Sequence, residues 1–570
     1  MGQEEWYSEM TGFSLQTFGG KAPKIYSRLL PNDMATVATN VRLDTGRLEP
    51  WKGNASSSIN ATSPTNFTQI GVKTIFKHSS NIWIAVDKVV DILESPIAED
   101  PHNRIYYSGF DIGGFSHPLM QIADQVDDNI FFRLGIPLAP NLATTPTLTP
   151  TSSSVSATET PSARSYIYTF VSAFGEEGQP STAQTSQILS VFSDQTVTIT
   201  FPVAPSGQHN LAKRRLYRTD ADGTFRQVAD IDIPSDESSS NLTTFVDNKT
   251  DAELGEPNET ADFDPPPDSD ATAHPEGHME GLKSMNNGVF AGFAGKTVLF
   301  SVPFQPHAFP KKFQLTVQSP VVGLAPLSNG LMVLTKGKPV LVQGTDPASM
   351  AMVEIDSAQS CVSRRSIVDM GDFSVYASPD GLVLASESGV ELITEQIFTR
   401  DHWQAFNPSS IHAYYWEGHY IGFYKISNTE KGGFVFDPRG GKNSFVDLSF
   451  YADAGFSDLE NDELYLVVNN NFVEFASGSN LSYTWKSKEF YNARPINPAV
   501  AQVECDSYSP SVTFKLFADN SLKHTQTVTS ADPFKLPSGY KENAFHVEVT
   551  GSVPINQIKV FESSEEIGNG

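Results

Sequence analysis

Asn287-Gly-Val-Phe-Ala-Gly-Phe-Ala-Gly-Lys-Thr-Val-Leu-Phe-Ser301 is an apolar run, a Gly-bearing turn and a second apolar run. The same phrase returns as Asn329-Gly-Leu-Met-Val-Leu-Thr-Lys-Gly-Lys-Pro-Val-Leu-Val-Gln-Gly344 and as Asp380-Gly-Leu-Val-Leu-Ala-Ser-Glu-Ser-Gly-Val-Glu-Leu-Ile-Thr394. Looser copies are Glu417-Gly-His-Tyr-Ile-Gly-Phe-Tyr424 with Gly432-Gly-Phe-Val-Phe-Asp437, and Asp462-Glu-Leu-Tyr-Leu-Val-Val-Asn-Asn-Asn-Phe-Val-Glu-Phe-Ala-Ser477. With Gly288, Gly330, Gly381, Gly418 and Asp462 as landmarks, the intervals are 42, 51, 37 and 44 residues. A period near 40–50 with several strands per unit is the pattern of a β-propeller. The hairpin around Asn81, in Asn81-Ile-Trp-Ile-Ala-Val86, offers a sixth unit from the amino-terminal part.

Two composition breaks bound a different segment. Residues 138–164 are almost wholly Thr, Ser, Pro and Ala, with no apolar period, and read as a linker. Residues 256–281 are rich in Pro and Asp and read as a second linker. Between them, 165–255 carries strand patterns such as Tyr166-Ile-Tyr-Thr-Phe-Val-Ser-Ala173 and Thr196-Val-Thr-Ile-Thr-Phe201, and a hairpin turning at Asp220-Ala-Asp-Gly223. Short strands over about 95 residues fit a fibronectin type III-like sandwich inserted between blades. The last part, 483–570, alternates cleanly in Val512-Thr-Phe-Lys-Leu-Phe517 and Phe545-His-Val-Glu-Val-Thr550. Such alternation buries one face and predicts a C-terminal β-sandwich. The expected fold is therefore all-β. Residues 1–137 are the N-terminal part of a propeller, 282–482 its main part, 165–255 an inserted sandwich and 483–570 a terminal one.

Length and composition agree. At about 100–200 residues per domain, 570 residues make three to five units. Apolar residues at 39% against 18% charged exclude global disorder. The 66 Asp and Glu outnumber the 39 Lys and Arg, giving a net charge of −27. A chain so acidic is a poor phosphate binder, and its tightest cationic cluster is only Lys213-Arg214-Arg215. Two cysteines, Cys361 and Cys505, make no disulfide framework. The amino end, MGQEEWYSEM, lacks the basic and apolar regions of a secretion signal, and no run of 18 apolar residues predicts a membrane span.

Chemical motifs are weak. His274-Pro-Glu-Gly-His278 looks like a zinc-peptidase signature, but Pro275 and Gly277 oppose the helix that would put both His on one face. Asp220-Ala-Asp-Gly223 starts like a calcium loop, yet Ile231 stands where the last acidic ligand belongs. Cys361 reads as a buried structural thiol, and Trp403, Trp416 and Tyr414-Tyr415 as packing between blades rather than a sugar platform. With 66 carboxylates, pairs of the glycosidase kind will arise by proximity alone, and nothing singles one out. No catalytic, cofactor-binding or metal residue is assigned, no cofactor is expected, and the chain is read as a non-enzyme.

The order of segments resembles the tail nozzle, or tail tubular B type, structural proteins of short-tailed bacteriophages. The resemblance is carried by Leu30-Pro-Asn-Asp-Met-Ala-Thr-Val-Ala-Thr-Asn-Val-Arg42 with Gly46-Arg-Leu-Glu-Pro-Trp51, and by Arg104-Ile-Tyr-Tyr-Ser-Gly109 with Phe132-Arg-Leu-Gly-Ile-Pro137. In the insertion it rests on Tyr168-Thr-Phe-Val-Ser-Ala-Phe-Gly-Glu-Glu-Gly178 and Arg215-Leu-Tyr-Arg218. Later it rests on Phe300-Ser-Val-Pro-Phe-Gln-Pro-His-Ala-Phe-Pro310, Ser360-Cys-Val-Ser-Arg-Arg-Ser-Ile-Val368 and Tyr376-Ala-Ser-Pro-Asp-Gly-Leu-Val383. None of these is a catalytic phrase. The resemblance implies a virion protein in the phage tail: a homo-hexameric ring below the portal and head–tail adaptor. Other tail proteins or fibres would be its neighbours, and duplex DNA would pass through without specific binding. The alternatives are another tail component, distal or fibre-attaching, and a propeller glycoside hydrolase.

Overall fold

The structure is a computed structural model, and the residues it describes are 12–62, 71–109, 118–126, 128, 130–142, 144–150, 159–440 and 444–567. The amino-end decapeptide and residues 143 and 151–158 of the Thr/Ser/Pro-rich stretch lie outside them.

Each quoted repeat folds into an antiparallel sheet whose strands follow one another in sequence. The third blade is Glu280–Ser284, Phe290–Ala294, Thr297–Phe300 and Leu315–Thr316. The fourth is Val321–Leu327, Gly330–Thr335, Val340–Gln343 and Ala351–Glu354. The fifth is Val368–Asp369, Ser374–Ala377, Leu382–Ser386 and Gly389–Leu392. The sixth is His412–Trp416, His419–Lys425, Lys431–Phe436 and Val446–Leu448. The seventh is Ala454–Asp458, Glu463–Val468 and Asn471–Glu474, closed by Ala55–Ser56 from the start of the chain.

Two more sheets come from the amino-terminal part. One pairs Thr74–Lys77 with Trp83–Val86 and takes Ala61–Thr62 as a parallel outer strand. The other is Asp91–Glu94, Arg104–Ser108, Leu119–Ile122 and Phe132–Arg133. Among the described residues this makes seven blades, and seven apolar seams close them into a ring. Ile84 meets Ile105 in the first seam, Tyr106 meets Phe290 in the second, and Trp83 meets Val467 in the last. A blade covered on both sides needs apolar residues on both faces of its strands. That is why Gly330–Thr335 is buried at every position and reads as a run rather than an alternation. Trp403 lies in the fifth–sixth seam, and Trp416 in the sixth–seventh seam beside Trp51.

The structure corrects the repeat count and its register. The second amino-terminal blade went unread because the first lends it no interval: Trp83–Val86 leads almost directly to the next inner strand at Asp91. Gly288, Gly418 and Asp462 sit between the first and second strands of their blades and Gly330 opens the second, but Gly381 sits between the second and third. The equivalent residue is Gly371, at φ 94°. With it the intervals become 42, 41, 47 and 44 residues, closer to one period. At Gly288 the turn itself demands glycine, since φ is 67° and a Cβ would come within 2.5 Å of the Phe304 ring.

Residues 12–50 do not belong to the propeller, contrary to the reading of 1–137. Gly12–Leu15 pairs with Ile555–Phe561, and Ala35–Thr39 pairs with Tyr483–Ser487. These strands complete a C-terminal two-layer sandwich on one core, including Trp485, Phe514, Phe545 and Ile558. Ala35–Thr39 also lies parallel to Val446–Leu448, so one sheet runs unbroken from the sixth blade into the terminal unit.

The 138–164 stretch is not simply a linker either. Thr147–Pro150 pairs with Gln195–Thr200, and Ser162–Arg164 with Leu189–Val191. Threonine and serine suit a half-buried strand, and Ala139 and Leu142 reach the core of the inserted unit. That core joins a sheet of Tyr166–Ser172, Leu211–Thr219 and Phe225–Asp232 to one of Thr147–Pro150, Gln195–Thr200 and Thr244–Asp247. Of the 256–281 stretch, 256–279 forms turns laid on the propeller, with Pro266 and Pro267 buried and Pro265 and Pro266 against Gly135, while Glu280 already opens the third blade.

Candidate functional site

The inner strands of the blades start around one axis, and the chain places charged residues at those starts. The short 3-10 turn Arg364–Ser366, just before the fifth blade, brings two arginines there. Lys73 precedes the first inner strand and Asp453 the seventh, while Asp91 opens the second and Glu280 the third. Lys73, Asp91, Arg364 and Arg365, together with Lys283, Tyr414 and Phe456, line an axial cavity of about 300 Å³, and Asp453 and Glu280 pair with the lining residues Lys73 and Arg364. Arg364 Nη1 donates to Glu280 Oε2 at 3.1 Å, and Nη2 lies 3.6 Å from Asp91 Oδ2. Arg365 Nη2 donates to the carbonyls of Lys73 at 2.9 Å and Asp453 at 3.0 Å, and to the Tyr414 hydroxyl at 3.4 Å. Behind it His412 is buried. Burial first, then the charges of Arg365 and Lys73, push its imidazole well below the usual range. A cavity this small takes a small molecule and not a nucleic-acid duplex.

A second charged cluster joins the inserted unit to the propeller. Arg104 Nε donates to Asp100 Oδ2 at 2.7 Å, and Nη1 to Glu176 Oε1 at 2.6 Å. Asp100 and Arg104 belong to the second blade, and Glu176 to the turn after the insert's strand Tyr166–Ser172. All three are buried. His307, from the third blade's long loop, closes the cluster with its Nε2 3.0 Å from the Glu177 carbonyl oxygen. Its imidazole is held below the usual range, mainly by burial. Phe174 packs edge-on to Phe132, and Gly178 lies against Ile136.

The cations are largely drawn into ion pairs. Arg214 is fully buried, with Nη2 donating to Glu237 Oε2 at 2.8 Å. Arg215 pairs with Glu177 at 2.8 Å and Asp230 at 2.7 Å, and buried Arg218 with Asp247 at 3.0 Å and Asp251 at 2.6 Å. Of the cationic run that stood out in the sequence, Arg214 and Arg215 are thus paired within the inserted unit and Lys213 is exposed. More than half of the 39 Lys and Arg side chains pair with a carboxylate. The 256–281 stretch has eight carboxylates and no Lys or Arg.

The motif candidates fall apart in space. His274 Nε2 is 3.7 Å from Asp268, and His278 Nε2 is 3.6 Å from Glu280, so the two His face different carboxylates. Among the described residues no three His, Cys, Asp or Glu side chains gather for a metal. His274 and Glu276 instead line a cleft of about 610 Å³ between the 256–281 turns and the third blade. Asp220 caps its own hairpin, accepting from the backbone N–H of Asp222 and Thr224 at 2.9 Å each. Cys361 is buried and burial pushes its thiol up to about 12, while Cys505 is pushed to about 11. Tyr414 is the one member of the aromatic set that reaches the axial cavity. The axial arginines were legible only as part of Ser360-Cys-Val-Ser-Arg-Arg-Ser-Ile-Val368. No spacing rule ties them to Lys73, almost 300 residues away.

No family model matches the chain, and no curated protein matches it. Solved structures similar to parts of it are propellers. Hsv2 from Kluyvelomyces marxianus is 8% identical, with a TM-score of 0.23 over 48% of this chain and 69% of that one. Virginiamycin B lyase from Staphylococcus aureus, solved with quinupristin, is 10% identical, with a TM-score of 0.24 over 58% of this chain and 98% of that one. YCF48 from Cyanidioschyzon merolae is 10% identical, with a TM-score of 0.26 over 50% and 95%. The likeness concerns the propeller fold alone. No helix among the described residues is long and apolar enough to cross a membrane.

Proposed function

We propose that this chain is a structural component of a phage virion, a tail nozzle. Six copies form a ring below the portal and adaptor, and genomic DNA leaves through the space they enclose. The inserted unit is its fibronectin-like module, and other tail proteins or fibres attach to the ring. The axial cavity is too small for a duplex, so in this reading the conduit lies between chains.

The observation that carries the proposal is the disposition of charge. The chain has −27 net charges and ties up most of its cations in ion pairs, several of them buried. What is left facing outward is predominantly carboxylate. Six copies would carry about −160, a field that repels phosphate and leaves water and counterions between wall and DNA. A gel-shift titration of the purified protein with linear duplex DNA is the test. The expected result is no retention at moderate salt. Tight, salt-sensitive binding would contradict a conduit and point to a protein that grips DNA.

A further inference from the structure

The axial cavity has a chemistry that the conduit does not use. In a chain this acidic, Arg365 has no carboxylate within 4.0 Å among the described residues. Its hydrogen bonds all leave from Nη2 and end on two carbonyls and a phenol. The N–H groups on Nε and Nη1 have no protein acceptor among the described residues. Lys73 stands beside it, with its closest carboxylate, Asp453, at 3.5 Å. The other charged residues lining the cavity are Lys283, Arg364 and Asp91, with Glu280 pairing with Arg364. Asp91 lines the cavity with a side chain that is partly exposed, its Oδ2 closed off towards Arg364 at 3.6 Å. The site thus offers unused donors from a guanidinium and an ammonium, beside a carboxylate that lines the same cavity.

We propose that this cavity binds a small hydroxylated oxyanion of the sugar-phosphate class. The oxyanion would meet Arg365 and Lys73, whose charge-assisted hydrogen bonds are of the strong kind. A ligand hydroxyl would donate to Asp91. A hydrogen bond to a charged group is among the stronger ones, so a ligand that brings a hydroxyl to that carboxylate gains more than a bare anion does. The volume also exceeds what inorganic phosphate fills. The cavity belongs to one propeller, so the proposal does not depend on ring assembly.

Isothermal titration of the full chain with glucose 6-phosphate, inorganic phosphate and glucose is the test, repeated on Arg365→Gln and Lys73→Met. Glucose 6-phosphate should bind, inorganic phosphate should bind more weakly, and glucose should give no signal. Each variant should weaken glucose 6-phosphate at least about 10-fold. Arg365 also ties two blades together, so if Arg365→Gln fails to fold, Lys73→Met at its partly exposed position decides alone. No binding to the unmodified chain at millimolar ligand would overturn the proposal. So would affinity unchanged in Lys73→Met, or inorganic phosphate binding as tightly as the sugar phosphate.

Discussion

Two small sandwiches flank the propeller, and they are attached by opposite means. The terminal unit continues a blade: Val446–Leu448, Ala35–Thr39 and Tyr483–Ser487 are neighbours in one sheet. Asn40 pins the corner, its side chain donating to Ser449 Oγ at 2.9 Å and the Ser482 carbonyl at 3.0 Å. Trp485 Nε1 donates to the Gly19 carbonyl at 3.0 Å within the terminal core. Among the described residues the inserted unit shares no strand with a blade. It is docked through Arg104, Glu176 and Asp100, with Phe174 and Ile136 beside them. A backbone ladder resists changes in single side chains. A buried ion pair does not, because removing one partner leaves the other charged and desolvated. The first joint should therefore fail only with its core, and the second with one carboxylate.

The largest effect should come from Trp485→Ala, which opens a cavity in the core shared by residues 12–50 and 483–567. A loss of about 3–5 kcal/mol is expected. Because the same sheet reaches the sixth blade, propeller and terminal unit should melt together in calorimetry. Two separate transitions would break the idea of a continuous joint.

Glu176→Gln should cost about 1.5–3 kcal/mol, the range for a hydrogen bond to a charged group. Its signature should be local: faster proteolysis at the insert–propeller boundary with the terminal unit unaffected. For the same reason Arg104→Met, which leaves both Asp100 and Glu176 without their cation, should loosen the joint at least as much as Glu176→Gln. Unchanged melting and proteolysis in both variants would show that the charged cluster does not hold the joint.

Acid should separate the two sandwiches as well. Burial works against ionisation of Glu237, but the hydrogen bonds from Arg214 and Thr243 prevail and hold its carboxyl down at about 2, against an ordinary 4.5. A depressed carboxylate contributes stability above its unfolded value and loses it as pH falls, here from about 4.5 towards 2. Proteolytic cuts should appear within 165–255 across that window, and Glu237→Gln should flatten the dependence. The smallest effect is expected from Lys312→Ala: its pair with Asp262 is exposed on both sides and should change stability by under about 1 kcal/mol.

Much of the propeller was legible because a blade is a local object. Strands that follow one another in sequence pair with each other, so Gly-bearing hairpins at a near-constant interval betray them. What escaped was non-local. Ala55–Ser56 closes the seventh blade from more than 400 residues away, and Gly12–Leu15 pairs with Ile555–Phe561. Two-residue strands such as Ala61–Thr62 have no period to read. The Thr/Ser/Pro stretch looked like a linker because the apolar residues that anchor it, Ala139, Leu142 and Leu148, are few and widely spaced. The axial cavity was invisible for the same reason as the closing strands. Lys73, Asp91 and Arg365 come from three different blades, and only ring closure brings them together.

The ring itself is tested most directly by an electron-microscopy reconstruction of the purified, assembled chain. The expected map has six copies around an open channel, with the propeller axes outside the path and the channel wall net negative. A channel lined by basic residues, or a protein that remains monomeric at high concentration, would contradict a DNA conduit built from this chain.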